Sequence, residues 1–146
     1  MKKFFLIPML FIMALFNAGA HERITQDQNV LPAQAKEFLN THFPQEKVSY
    51  IKIEKESFRS NQYEVKFTSG TEIEFNHKGE WLDVDCKRSQ VPIEIIPNYI
   101  QLVVQEKFPG NPVTQIKRDR TGYEVELANK LELIFNKKGK LIKIED

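Results

Sequence analysis

Cysteine is almost absent. Cys86 is the single one, so no disulfide forms within the chain and the apolar core alone must hold the fold. Charge of one sign is also lacking. Lys and Arg number 21 and Asp and Glu 20, which leaves no basic footprint for nucleic acid. Histidines are three, His21, His42 and His77, with no spacing that suits a shared metal, so no metal site is expected. No Gly-x-Ser-x-Gly, phosphate-binding glycine loop or His-Glu-x-x-His occurs. The serines Ser57, Ser60, Ser69 and Ser89 fall in turns or linkers without a base beside them. The expectation is a protein that is not an enzyme, with no catalytic residue and no cofactor. After the first 20 residues there is no long apolar run, so the rest should not span a membrane.

Those first residues have their own pattern. Lys2 and Lys3 precede the apolar run Phe4–Phe16, and Ala18-Gly19-Ala20 follows. Charged, apolar and small-residue segments in that order predict a secretory signal, residues 1–20, cleaved before His21. The run is shorter than the ~20 residues a membrane span needs. An exported protein, periplasmic or secreted, is the expectation.

The rest of the chain reads twice. Tyr63–Val84 (YEVKFTSGTEIEFNHKGEWLDV) returns as Tyr123–Ile144 (YEVELANKLELIFNKKGKLIKI), each centred on a turn, Phe75-Asn76-His77-Lys78-Gly79 and Phe135-Asn136-Lys137-Lys138-Gly139. Upstream, Leu31, Ala35, Phe38, Leu39 and Phe43 form one helical stripe that starts at Pro32 and stops at Pro44. Ile96, Ile100, Val103, Val104 and Phe108 repeat it between Pro97 and Pro109. Four strands are expected after each helix. They are Val48–Glu56 with an irregularity near Ser49, the Tyr63 strand, the Ile73–Phe75 strand and Trp81–Cys86, then Val113–Arg118, Tyr123–Leu127, Leu131–Asn136 and Leu141–Glu145. The fold class is α+β, two tandem helix–four-strand antiparallel units with the helices on one sheet face. Residues 21–30 are a flexible lead-in, 31–86 unit 1, 87–95 a linker and 96–146 unit 2. The units would join either edge to edge into one long sheet or side by side.

These residues resemble the PepSY-like, or β-lactamase-inhibitor-like, family. The matching positions in the first copy are Leu31, Pro32, Phe43, Pro44, Tyr63, Glu64, Val65, Glu74, Phe75, Asn76, Gly79, Trp81 and Leu82. In the second they are Ile96, Pro97, Phe108, Pro109, Tyr123, Glu124, Val125, Phe135, Asn136 and Gly139. The resemblance implies an exported module of helix-plus-sheet units, and it makes an inhibitor or regulator of an exported hydrolase (protease or β-lactamase type) one expected role. Two features depart from the inhibitor archetype, which uses disulfides and an aromatic-rich binding face.

Strand alternation predicts the side chains that point away from the helices. Tyr50, Glu64, Glu72, Glu74, Trp81 and Asp83 are expected there from the first copy, and Ile134 and Leu141 from the second. An acidic face carrying Trp81 as an aromatic anchor suits an envelope protein, a peptide or a small ligand. The leading expectation is therefore a non-enzymatic exported binding module. A structural envelope component is the other possibility the composition allows.

Overall fold

A computed structural model describes residues 22–56 and 60–146. The expected signal, residues 1–20, and most of the expected turn after Glu56 lie outside the described residues. Nine strands form one antiparallel sheet in which every strand neighbours the next along the chain. They are β1 (Glu22–Thr25), β2 (Val48–Glu56), β3 (Ser60–Phe67), β4 (Glu72–Phe75), β5 (Trp81–Asp85), β6 (Val113–Arg118), β7 (Gly122–Leu127), β8 (Glu132–Asn136) and β9 (Leu141–Glu145). Helix α1 (Ala33–His42) precedes β2, and α2 (Asn98–Lys107) precedes β6. Among the described residues no helix is long and apolar enough to cross a membrane.

The helices begin one residue later than the stripes suggest. Pro32 and Pro97 are extended residues just ahead of the first turn, with ψ of 150° and 140°. Each helix ends on a phenylalanine, Phe43 or Phe108, whose N–H donates to the carbonyl of Leu39 or Val104. The buried stripe, Ala35 and Leu39 on α1 and Ile100 and Val104 on α2, lies against the sheet. It joins Ile51, Val65, Ile73, Phe75, Val84, Ile116, Val125, Leu133 and Phe135 in one continuous core. Antiparallel sheets tolerate this arrangement, one face covered and one in water.

The lead-in is a correction. Residues 22–25 are a strand, with Arg23 opposite Ile53 and Ile24 opposite Lys52. Backbone pairing along the free edge of β2 is enough to order it, because a strand needs no apolar alternation when neither of its faces is covered. Residues 87–95 are also more structured than a linker. Val91 and Ile95 are buried, and Ile93–Ile95 is one 3-10 turn.

The two halves meet through β5 and β6, where Asp83, Val84 and Asp85 pair with Lys117, Ile116 and Gln115. Val84 and Ile116 are fully buried at this seam. The sheet is therefore continuous across the middle of the chain.

The hairpin turns explain two asparagines. Asn76 Oδ1 accepts from the N–H groups of Lys78 and Glu80, and Asn136 Oδ1 from those of Lys138 and Lys140. Gly79 then sits at a φ of 86°, where a Cβ would lie 2.8 Å from the Ala35 nitrogen. The hairpin tip is thus pressed onto the start of α1, and only glycine fits there.

Cys86 is buried beside Thr71, and burial, reinforced by the Asp85 charge, pushes its thiol up to about 11. A thiol held protonated is a poor nucleophile. A thiol reagent at neutral pH should label Cys86 only after denaturation; complete labelling of the folded protein would contradict this placement.

Candidate functional site

The uncovered sheet face carries a transverse row set by the pairing register. From β2 to β9 it runs Lys52, Glu64, Glu74, Asp83, Lys117, Glu124, Ile134 and Lys143. Three carboxylates, Glu64, Glu74 and Asp83, are direct neighbours on three adjacent strands. Like charges placed opposite one another across strands repel, by roughly 0.2–1 kcal/mol per pair. Their compensation is uneven. The Tyr50 hydroxyl donates to Glu64 at 3.5 Å. The Gln115 amide donates to both oxygens of Asp83, at 2.9 and 3.0 Å. Glu74 has no hydrogen bond or ion pair among the described residues.

The titration of the row follows. Desolvation, and then the charges of Asp83, Glu64 and Glu54, raise the Glu74 carboxyl above the usual carboxylate range. Desolvation also raises Asp83, against the Gln115 hydrogen bond. Glu72 goes the other way, because Lys66 and Lys87 both bond to it. A carboxyl with a raised folded pKa costs stability above that pKa, and the cost vanishes as pH falls below the unfolded value. Glu74→Gln should therefore stabilise the protein slightly at neutral pH, by roughly a few tenths of a kcal/mol at most, because Glu74 is exposed and water screens most of the repulsion. That gain should shrink on acidification towards the ordinary carboxylate range, as read by paired thermal melts of variant and parent. A variant less stable than the parent at neutral pH would show that Glu74 has a partner.

Beside the row the face is hollowed. A depression of about 420 Å³ is bounded by Glu74, Leu82, Asp83, Lys117, Glu124 and Ile134. Of the residues expected on this face, Glu74, Asp83 and Ile134 come together at the hollow, while Tyr50, Glu64 and Glu72 lie along the strands next to it.

Trp81 and Leu141 are corrections. Asp83 lies opposite Glu74, but Trp81, not Leu82, lies opposite Phe75. Leu82 is the extra residue of a β-bulge, and the bulge turns Trp81 to the helix side. Lys143 lies opposite Ile134 and Leu141 opposite Phe135, so Ile142 is the extra residue of a second bulge and Leu141 also turns inward. Both side chains pack against the core rather than standing on the outer face. The Trp81 ring lies 6.4 Å from Phe38 and 6.5 Å from Tyr123, centroid to centroid. No apolar patch with Trp81 at its centre exists on the outer face.

Sequence reasoning missed Arg118. Its Nε donates to the Trp81 carbonyl at 2.6 Å, and its guanidinium carbon lies 4.1 Å from the centre of the Trp81 ring. The signal was present: Arg118 alternates in step with Ile116, a charged residue at a core-facing position.

The family model described as "Putative beta-lactamase-inhibitor-like, PepSY-like" matches residues 61–143. The chain belongs to this PepSY-like family. Solved structures agree. A "putative periplasmic protein of unknown function" from Bacteroides vulgatus is 44% identical, covers 86% of this chain and 99% of its own, and superposes with a TM-score of 0.81. A second protein from the same organism, described as a "putative periplasmic protein", is 36% identical over 88% of this chain and 99% of its own, with a TM-score of 0.82. A "putative calcium-regulated periplasmic protein" from Bacteroides thetaiotaomicron is 39% identical over 86% of this chain and 97% of its own, with a TM-score of 0.80. No curated protein matches the chain. Like these relatives, this PepSY-like protein is exported to the periplasm.

Proposed function

We propose that this PepSY-like protein is a non-enzymatic binding module of two tandem helix-plus-four-strand units, and that its outer sheet face takes a basic segment of a peptide or protein. The observation that carries this reading is the carboxylate row. Glu64, Glu74 and Asp83 stand side by side, and Glu74 makes no hydrogen bond or ion pair among the described residues. A lysine or arginine laid across the row would relieve the repulsion that raises Glu74 and Asp83. The hollow at Ile134 offers an apolar contact beside it, and Tyr50 and Glu72 extend the face. Trp81 has no part in this surface.

The recurrence of the bulges supports the tandem reading. Irregularities fall between Val48 and Tyr50 and between Glu74 and Phe75, then at the equivalent places between Val113 and Gln115 and between Ile134 and Phe135. The inhibitor-like name of the family favours a second use of the same face, an exported hydrolase as the protein bound. Calcium is a smaller competitor for the row. One relative is described as calcium-regulated, but here no three His, Cys, Asp or Glu side chains among the described residues are grouped so as to hold a metal ion.

The test is a titration of a lysine-rich peptide, and of its glutamate-substituted counterpart, into the parent and a Glu64→Gln/Glu74→Gln/Asp83→Asn variant. The lysine peptide should bind the parent, weaken with salt, and lose about tenfold in affinity on the folded variant. Equal binding by parent and variant would sink the proposal, as would displacement of the peptide by equimolar calcium.

A further inference from the structure

The opposite face holds a second, unassigned feature, a cleft of about 330 Å³ beside α1 on the helix side. Its walls are Phe38 and His42 from α1, Trp81 from β5 and Tyr123 from β7. Arg118 from β6 lies within it, and Glu94 stands at its rim. Phe38 and His42 are themselves in ring contact, at 4.7 Å. The cleft is thus aromatic on three sides with one cation inside.

The arginine is held in a particular way. Pairing between β5 and β6 stops at Asp83 and Lys117, which leaves the Trp81 carbonyl without a strand partner on that side. Arg118 Nε occupies that carbonyl, and the guanidinium lies over the indole. Both contacts fix the plane of the guanidinium and use only one of its five N–H donors. No carboxylate lies within ion-pair distance of Arg118 among the described residues. Glu80 also lines the cleft; its carboxylate accepts from the Asn76 amide at 2.7 Å, and that bond, with the charges of Lys78, Arg118 and His77, holds it below the usual carboxylate range. A rigid guanidinium with its remaining N–H edge free matches a carboxylate bidentately.

We propose that this cleft binds a carboxylate attached to a flat apolar group, with the carboxylate on Arg118 and the ring laid against the aromatic wall of Phe38, Trp81 and Tyr123. The volume sits at the small end of ligand pockets, which suits one ring and its acid group rather than an extended molecule. Two sources carry that chemistry, a free aromatic acid and the C-terminus of a peptide that ends in an aromatic residue. The inference does not rest on the carboxylate row, although Arg118 and Tyr123 border the outer hollow as well as this cleft.

Trp81 is the single tryptophan, so its fluorescence reports on the cleft directly. The experiment titrates the intact protein with N-acetylphenylalanine, its amide, phenylpropionate and a peptide ending in phenylalanine. A saturable change with the acids and none with the amide is the expected result. Arg118→Gln, checked for folding by circular dichroism, should weaken binding about tenfold or more. Gln34→Glu, an exposed change at the mouth that leaves the Arg118–Trp81 contact intact, should weaken it severalfold by repulsion, and this variant decides the matter if Arg118→Gln does not fold. Binding of the peptide alone would assign the cleft to peptide C-termini; binding of phenylpropionate as well would assign it to aromatic acids at large. No saturable response, equal binding of acid and amide, or undiminished affinity in the folded variants would overturn the proposal.

Discussion

Gly122→Ala should destabilise the protein by at least about 3 kcal/mol and lower its melting temperature by roughly 10 °C. Gly122 opens β7 at a φ of 150°, and a Cβ there would lie 2.0 Å from the Phe135 carbonyl oxygen and 2.8 Å from the Asn136 carbonyl carbon. Those atoms are backbone of the neighbouring strand β8, so no rotamer change makes room. The methyl group would push β7 from β8 where Gly122 pairs with Asn136 and Tyr123 with Phe135. Phe135 is 1% exposed, so the disturbance reaches the core at once. Gly110 is the control. It also has a positive φ, 79°, but nothing lies within 4 Å of its Cβ position. Gly110→Ala should cost only its backbone strain, about 1 kcal/mol. Urea unfolding of the two variants separates the effects, and equal losses would show that the close approach at Gly122 contributes nothing.

Trp81→Ala should cost about 2–3 kcal/mol, less than a fully buried tryptophan because Trp81 is only half-buried. The ring touches Phe38, Tyr123 and the Arg118 guanidinium, so its removal opens a gap between α1 and the β5–β6 seam. A cation–π contact also disappears, worth about 0.5–1 kcal/mol where exposed to solvent. The lysine-peptide affinity of the outer face should stay within about twofold, because the ring is on the other side of the sheet. Chemical unfolding and the peptide titration read both quantities on one sample. A fully stable variant that no longer binds the peptide would put Trp81 back on the outer face.

The two helices and eight of the strands were legible because a covered sheet face imposes strict periods. Leu31, Ala35 and Leu39, and Tyr63, Val65 and Phe67, keep those periods without exception. Strand β1 was not legible. Glu22 to Ile24 are exposed on an edge, and backbone pairing leaves no mark in the side chains. Trp81 and Leu141 were assigned to the wrong face for one shared reason. Alternation counted outward from Val84 and Ile144 assumes one residue per step, and a bulge inserts one. Both copies carry an adjacent apolar pair at that point, Trp81-Leu82 and Leu141-Ile142, where a strict alternation would place one apolar residue. Glu64, Glu74 and Asp83 keep the alternation read from the sequence because they lie on the regular side of that bulge. Arg118 escaped notice because its role depends on where β5 and β6 stop pairing, and that is set by tertiary register rather than local pattern.

A cation-binding role for the carboxylate row makes a definite demand on how Glu74 and Asp83 titrate. A carboxyl-carbon NMR titration of Glu74 and Asp83, free and with the lysine-rich peptide, tests it most directly. In the free protein both should titrate above the ordinary carboxylate range, and the peptide should bring both down as its charges take up the repulsion. Ordinary values in the free protein that do not move with peptide would contradict the account.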